Sequence, residues 1–444
     1  MVSQRFGGRY AGVVAGSVFS RLAVRGNVDW TPHRLAWSGL MMAWNETPQL
    51  VERFAAVCEC LREACPHWTL GASYDGWVQA QHREADRVVS AVIHKLRQHM
   101  QAIAEEHRRV NRWEVLAVDG SDAACPRTIV NQQAMGDTGK PNGIPQLSMT
   151  VVFHVGLAMP WAFRVGPASE SEREHLRAML SEFLAQMLLT TDAGFIGYDL
   201  CREMIEKNQH FLLRVGGNVH LLTDLGYDYE VDGETVYLWP VEQQSRRQPP
   251  IKMRLIVVED EGKQPIYLVT SVLDATRMTH AEARAIYHRR WGIEVCFRTL
   301  KQTLGHDGTH SRTPANCYLE MQWAILGAWT LALMTVRPVI ASGGTPQKAS
   351  PAAARNVVRR AMRNASPAKH RRRQRRTRWG SANRSLSAAL AACQTDNYHR
   401  ARPKASRDYP RKKRHEPPSP PKIKPSTESQ RQTAKQLTPL ITAT

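Results

Sequence analysis

Tyr287-His288-Arg289-Arg290-Trp291-Gly292-Ile293-Glu294-Val295-Cys296-Phe297-Arg298-Thr299-Leu300-Lys301 is the most informative stretch of this 444-residue chain. The pattern around it predicts one long helix, from Thr279 as N-cap to Leu304, with Gly305 as the stop. At about 100° per residue, Tyr287, Arg290, Glu294, Arg298 and Lys301 fall within roughly an 80° arc. Ile293, Phe297, Leu300 and Leu304 occupy the arc beside it. One stripe packs, and its neighbour presents a single acid among cations. A carboxylate in that setting can hold a metal ion while the cations take phosphates. A solvated helix with Glu294 paired to Arg290 and Arg298, at about 0.3 kcal/mol per pair, would give the same face.

Working outward, two strand-like runs end in aspartates. Trp113 to Val118 leads into Asp119-Gly120-Ser121, and Met187 to Thr191 leads into Asp192-Ala193-Gly194-Phe195. A second β-prone run covers Leu147 to Val155, and Glu170 to Leu189 reads as an amphipathic helix. Asp122 is expected beyond the end of the first strand and ranks below Asp119. Asp137, Asp199 and Asp224 sit in polar or loop-like surroundings, and an Asp before Gly is most often a turn residue. Between Asp192 and Glu294, residues 211–273 favour strands: 211–215, 219–222, 227–231, 235–238, 252–258 and 265–273. Residues 30–112 have helical periodicity. A helix is expected from Ala315 to Val336, ended by Pro338, and its apolar run is too short for a bilayer span of about 20 residues.

Charge is unevenly distributed. The net charge of +20 resides in residues 348–444, which carry +21, leaving −1 for residues 1–347. The body is therefore not a charged polymer binder, and the tail has the composition of an electrostatic arm for a polyanion. Its runs His370 to Arg376 and Arg411 to Arg414, with prolines following, predict disorder apart from a helix at Ala352 to Met362. Eight scattered cysteines do not make a disulfide framework and indicate a reducing compartment. No signal peptide is visible at residues 1–27.

The spacing Tyr287-x2-Arg290-x3-Glu294-x6-Lys301 resembles the third signature of DDE-type insertion-sequence transposases, in the family numbered four. The resemblance covers about residues 110–335. It implies an RNase H-like α/β fold in which Asp119, Asp192 and Glu294 hold Mg²⁺ or Mn²⁺, two ions in all. It also implies that Tyr287, Arg290, Arg298 and Lys301 contact DNA phosphates and that a β-rich insertion lies between the second and third acids. Two ions about 4 Å apart serve the attacking and leaving oxygens of an in-line phosphoryl transfer. The expected organisation is an α-helical end-binding domain (1–112), a catalytic domain (113–340) with its insertion at about 211–273, and a basic, largely disordered tail (341–444). Cut-and-paste DNA transposition is the function implied, with terminal repeats and target DNA as partners, a homodimer in the synaptic complex, and action in the cytoplasm at the nucleoid. A nuclease without joining activity and a non-catalytic basic nucleic-acid-binding protein are the alternatives. Hairpin ends with a flipped base would need an aromatic platform, for which Tyr267, Trp291 and Trp323 are candidates.

Other signals carry less. Gly136 to Lys140 lacks the first Gly and the final Ser or Thr of a phosphate-binding loop. Cys58, Cys60 and Cys65 do not share a helix face, and no His completes a zinc site. His306 and His310 are expected as exposed loop residues.

Overall fold

The computed structural model describes residues 16–20, 22, 28–136, 143–226, 234–259, 264–364, 386–395 and 419–437. The chain divides into two compact units, one made of residues 1–108, 120–172 and 292–400, the other of 109–119, 173–291 and 401–444. The strands are β1 (Val115–Ala124), β2 (Gln146–His154), β3 (Met159–Pro167), β4 (Leu188–Thr191), β5 (His210–Val215), β6 (His220–Thr223), β7 (Thr235–Leu238), β8 (Ile251–Val258), β9 (Ile266–Thr270) and β10 (Lys422–Pro425). This is the mixed α/β class read from the sequence.

The first unit is mainly helical. Its N-terminal helices are Pro32–Trp44, Leu50–Ala64 and Tyr74–Gln101. Thr31 and Ser73 cap two of them, accepting the backbone N–H of Arg34 and Gly76. Pro32–Trp44 and Tyr74–Gln101 pack against Pro314–Ala341, a helix apolar nearly all round, and Leu50–Ala64 packs against those two. By length and hydropathy this helix could cross a membrane, yet 78% of its most apolar window is buried inside the protein, so it serves as a core helix. The sequence placed its end before Pro338. The helix continues to Ala341 because Pro338 falls in the last turn, where little of the hydrogen-bond ladder remains to be lost.

Close approach at two glycines sets this packing. A Cβ on Gly39 would lie 2.4 Å from the indole of Trp323, and one on Gly327 would lie 2.6 Å from Ala43 Cβ. Trp44 Nε1 donates to Gly327 O at 2.9 Å across the same contact. Replacing Gly39 with Val should destabilise the protein by about 2–3 kcal/mol through overpacking, measurable as a lowered denaturation midpoint. Gly39→Ala should fall between the two.

Strands β2 and β3 form an antiparallel hairpin in the same unit. Only β2 was evident in the sequence. Pro160 and Pro167 sit near the two ends of β3 and mask its strand signal; Pro160 is accommodated opposite Phe153, where the register shifts.

The second unit is built on a sheet ordered β10-β6-β7-β8-β9-β5-β4-β1. β1, β4 and β5 run parallel, whereas the strands from β9 to β6 pair antiparallel. The amphipathic helix expected over Glu170 to Leu189 is shorter, Glu172–Met179, followed by a 3-10 turn at Leu180–Glu182. Gln186, at φ +66°, then turns the chain into β4. The strand expected at Tyr227 to Val231 lies outside the described residues.

The largely disordered tail requires correction where it is described. Pro351–Asn364 is helical, as the sequence indicated, and Leu386–Ala391 forms a further short helix. β10 adds in parallel to the edge of β6, and Glu428–Leu437 is a helix burying Ala434 and Leu437. Backbone pairing substitutes for the missing apolar surface: Lys422 N donates to Val219 O and Ser426 N to Thr223 O, both at 2.9 Å. The arginine-rich runs 370–376 and 411–414 lie outside the described residues, as does Asp137-Thr138-Gly139-Lys140.

Candidate catalytic site

The register of the parallel strands brings the first two acids together. Val115, Leu116 and Ala117 of β1 pair with Leu188, Leu189 and Thr190 of β4. Pairing ends at Ala117 and Thr190; continued two residues along both strands, the same register would set Asp119 next to Asp192. Neighbouring strands are about 4.8 Å apart, so the two carboxylates belong to one row on one face. β4 pairs onward with β5 through Thr191 and Leu213, so the next residue, Arg214, extends the row. The result is Asp119, Asp192, Arg214 across three parallel strands. Two adjacent carboxylates repel, and a flanking guanidinium offsets that cost.

The strand ending expected at Asp119 needs correction. β1 runs on to Ala124, so Asp122 lies within it rather than beyond it. What ends near Asp119 is the pairing with β4, whose last strand residue is Thr191. Asp192 is fixed locally as its Oδ1 accepts Gly194 N at 2.9 Å. Both aspartates are half-buried.

Tyr287 reaches the same row. It is buried, and burial pushes its phenol above the usual range, while Arg290 and Arg214 pull it down and Asp192 adds to the rise. The Arg214 guanidinium donates to the phenol, and the Arg290 guanidinium lies 5.7 Å from the ring centroid. Asp192, Arg214, Tyr287 and Arg290 thus form one electrostatic group in the second unit. Sequence reasoning did not single out Arg214; the only trace was an arginine within the apolar run Phe211-Leu212-Leu213-Arg214-Val215.

The single long helix is broken. His280–Arg289 is one helix, Gly292–Arg298 a second, and Thr299–Thr303 a π-helical turn. Thr279 caps the first through a complete capping box with Glu282. At Arg290 the backbone N–H is shared between Ile286 O and Tyr287 O, both at 3.2 Å, and at Trp291 it tightens to an i−3 bond, to His288 O at 3.4 Å. Gly292, a weak helix former, follows. The boundary between the two units falls at this point, after Trp291. A 100° wheel therefore does not describe the whole motif: Tyr287 and Arg290 belong to the second unit, Glu294, Arg298 and Lys301 to the first.

In the first unit, Lys301 Nζ donates to the backbone O of Asp122 at 2.5 Å. Burial pushes this amine down, opposed by Asp122 and Asp307. Lys301 is thereby fastened to β1 three residues past Asp119. Glu294 and Arg298 are half-buried. A Cβ on Gly120 would lie 1.7 Å from Glu172 Oε1, so glycine is required where that carboxylate packs. His306 is not exposed as expected: at 3% exposure its Nε2 donates to Ala43 O at 2.8 Å, and burial lowers its basicity. Trp323 is a core residue donating to Gln81 Oε1, whereas Trp291 is 44% exposed.

Asp119 and Asp192 thus each follow the paired segments of neighbouring strands in the second unit, and Glu294 belongs to the first unit. Among the described residues, no three His, Cys, Asp or Glu side chains converge closely enough to hold a metal ion. The aspartate pair itself suits a hard divalent cation, which takes carboxylate oxygens and completes its shell with water and phosphate.

Residues 113–331 match the model of the transposase DDE domain. This segment, just under half of the chain, is similar to that domain family. Over 267 residues the chain is 26% identical to transposase InsG for insertion sequence element IS4 from Escherichia coli (strain K12), a match covering 57% of this chain and 59% of the relative. The chain thus spans about three-fifths of the length of that curated relative. A solved structure, the cryo-EM synaptic complex of piggyBac transposase with hairpin DNA, is similar at 11% identity and a TM-score of 0.41, covering 92% of this chain and 86% of that one. The DDE segment contains all seven residues singled out in the sequence, Asp119, Asp192, Tyr287, Arg290, Glu294, Arg298 and Lys301. DDE domains act through divalent metal ions.

Proposed function

We propose that the protein is a DNA transposase that cleaves at transposon ends and joins the freed 3′-hydroxyl to target DNA. The row Asp119, Asp192, Arg214, set in a DDE domain and backed by Tyr287, carries this reading. Asp119, Asp192 and Glu294 would hold Mg²⁺ or Mn²⁺. When bound, such ions would activate the attacking water or hydroxyl and neutralise charge on the leaving oxygen. Tyr287, Arg290, Arg298 and Lys301 bind the phosphates flanking the scissile bond, with Lys301 oriented by its bond to Asp122 O. Cutting and joining use one set of groups because both are in-line displacements at phosphorus.

On this reading residues 1–112 bind the transposon end, 113–340 perform the chemistry and the basic residues of 341–444 add non-specific attraction to DNA. Two copies hold the two ends together, and the protein works in the cytoplasm on nucleoid DNA. A strand-transfer assay on terminal-repeat DNA with Mg²⁺ tests the proposal. Glu294→Gln should retain end binding while cleavage falls by about three orders of magnitude, some 4 kcal/mol of barrier. Equal cleavage by variant and parent would remove Glu294 from the metal site. Cleavage without joining would identify a nuclease, and binding without either a non-catalytic protein.

A further inference from the structure

A cavity of about 220 Å³ opens in the second unit, lined by Arg109, Arg112, Trp113, Glu114, Gln186 and Arg277, among others. Its walls come from the residues just before β1 and just before β4. It therefore lies at the opposite ends of these strands from Asp119 and Asp192, five residues or about 17 Å along the sheet. None of these residues belongs to the catalytic row.

Three arginines and one acid, Glu114, contribute to the lining, and Asp274 lies within electrostatic reach of Arg277 outside it. Glu282 approaches Arg112 only to 3.6 Å, and the Arg112 side chain stays 57% exposed. Arg277 is held over the Trp113 ring at 5.6 Å, and His210 meets the same ring edge-on at 5.2 Å. Burial, reinforced by the positive charge of Arg277, pushes the His210 imidazole down; it contacts Gln186 Oε1 at 3.1 Å. The positive character of the cavity thus comes from arginines, which remain charged across the working pH range. Planar guanidinium forks on a rigid aromatic support suit a tetrahedral oxyanion better than a point charge would.

We propose that this cavity binds a phosphate of the DNA backbone remote from the reacting bond. The proposal rests on the DNA-transposase reading and adds a second anchoring point to it. At about 3.4 Å per base step, a contact 17 Å from the aspartates lies some five steps or more from the bond being cut. Its role is to hold the flanking duplex, and it makes no contribution to the chemical step.

The test measures binding of a non-specific duplex by the full-length protein across a range of salt concentrations, without divalent metal. Replacing Arg109, Arg112 and Arg277 together by Gln should lower the slope of log K against log salt by about 0.9 for each phosphate no longer neutralised. Replacing all three by Lys should restore most of the slope. A parent-like slope in the Gln variant overturns the proposal. Phenylglyoxal modification of the unmutated protein is a second measurement that does not depend on how a variant folds. The duplex should protect the three arginines; equal modification with and without it, or protection by inorganic phosphate alone, overturns the assignment. Because neither readout requires catalysis, a parent that never cleaves DNA while these results hold would sink the transposase reading and leave the backbone site standing.

Discussion

Asp192→Asn should abolish metal-dependent DNA cleavage while leaving the fold and DNA binding intact. Asn keeps an Oδ1 that can accept the Gly194 N–H, now at 2.9 Å, so the turn after β4 is retained. What disappears is the negative charge beside Asp119 in the register row and one hard oxygen donor. The expected loss is about three orders of magnitude in cleavage, near 4 kcal/mol, with affinity for the transposon end changed by less than about tenfold. Nicking of terminal-repeat DNA in Mg²⁺ and in Mn²⁺, read beside Mn²⁺ titration of parent and variant, checks both halves. A variant that binds Mn²⁺ like the parent and still cleaves would show that Asp192 only closes a turn.

The candidate residues were legible in the sequence as two aspartates after β-prone runs and a motif of fixed spacing, although β1 continues past Asp119 to Ala124. Asp119 and Asp192 each follow a short β-prone run, and parallel strands of equal register bring their ends side by side. The motif from Tyr287 to Lys301 was legible as spacing but not as geometry. Helical periodicity cannot report the tightening to i−3 bonding at Trp291, nor the π-turn after Arg298. It also cannot show that the chain passes from one compact unit to the other after Trp291. Arg214 was hidden for a different reason. Its importance comes from pairing with β4, a contact between residues more than twenty positions apart. His306 was misread because a histidine after glycine gives no sign of whether the loop is covered, and here Ala43 O accepts its proton.

The insertion strands contribute to the site through a buried charge, and this gives the largest stability effect. Arg254 on β8 is 2% exposed, pairs across the sheet with Thr235 and Thr270, and donates to the backbone O of Met278. Met278 directly precedes Thr279, the cap of the helix that carries Tyr287. Burial lowers the pKa of this guanidinium, opposed by Glu234 and Asp274. Glu234 is the nearer partner at 3.6 Å and also contacts His280 Nε2 at 3.0 Å. Glu234→Ala would strand a buried cation with only the exposed Asp274 to balance it, at an expected cost of about 3 kcal/mol. Denaturant unfolding of the full chain measures the loss. Changing Arg254 to Met as well should recover most of it, since no unpaired charge then remains buried. A single-variant cost below about 1 kcal/mol would place the pair among solvated surface pairs, and the helix bearing Tyr287 would then be positioned by its buried face, Ala283, Ile286 and Tyr287, without help from this charge.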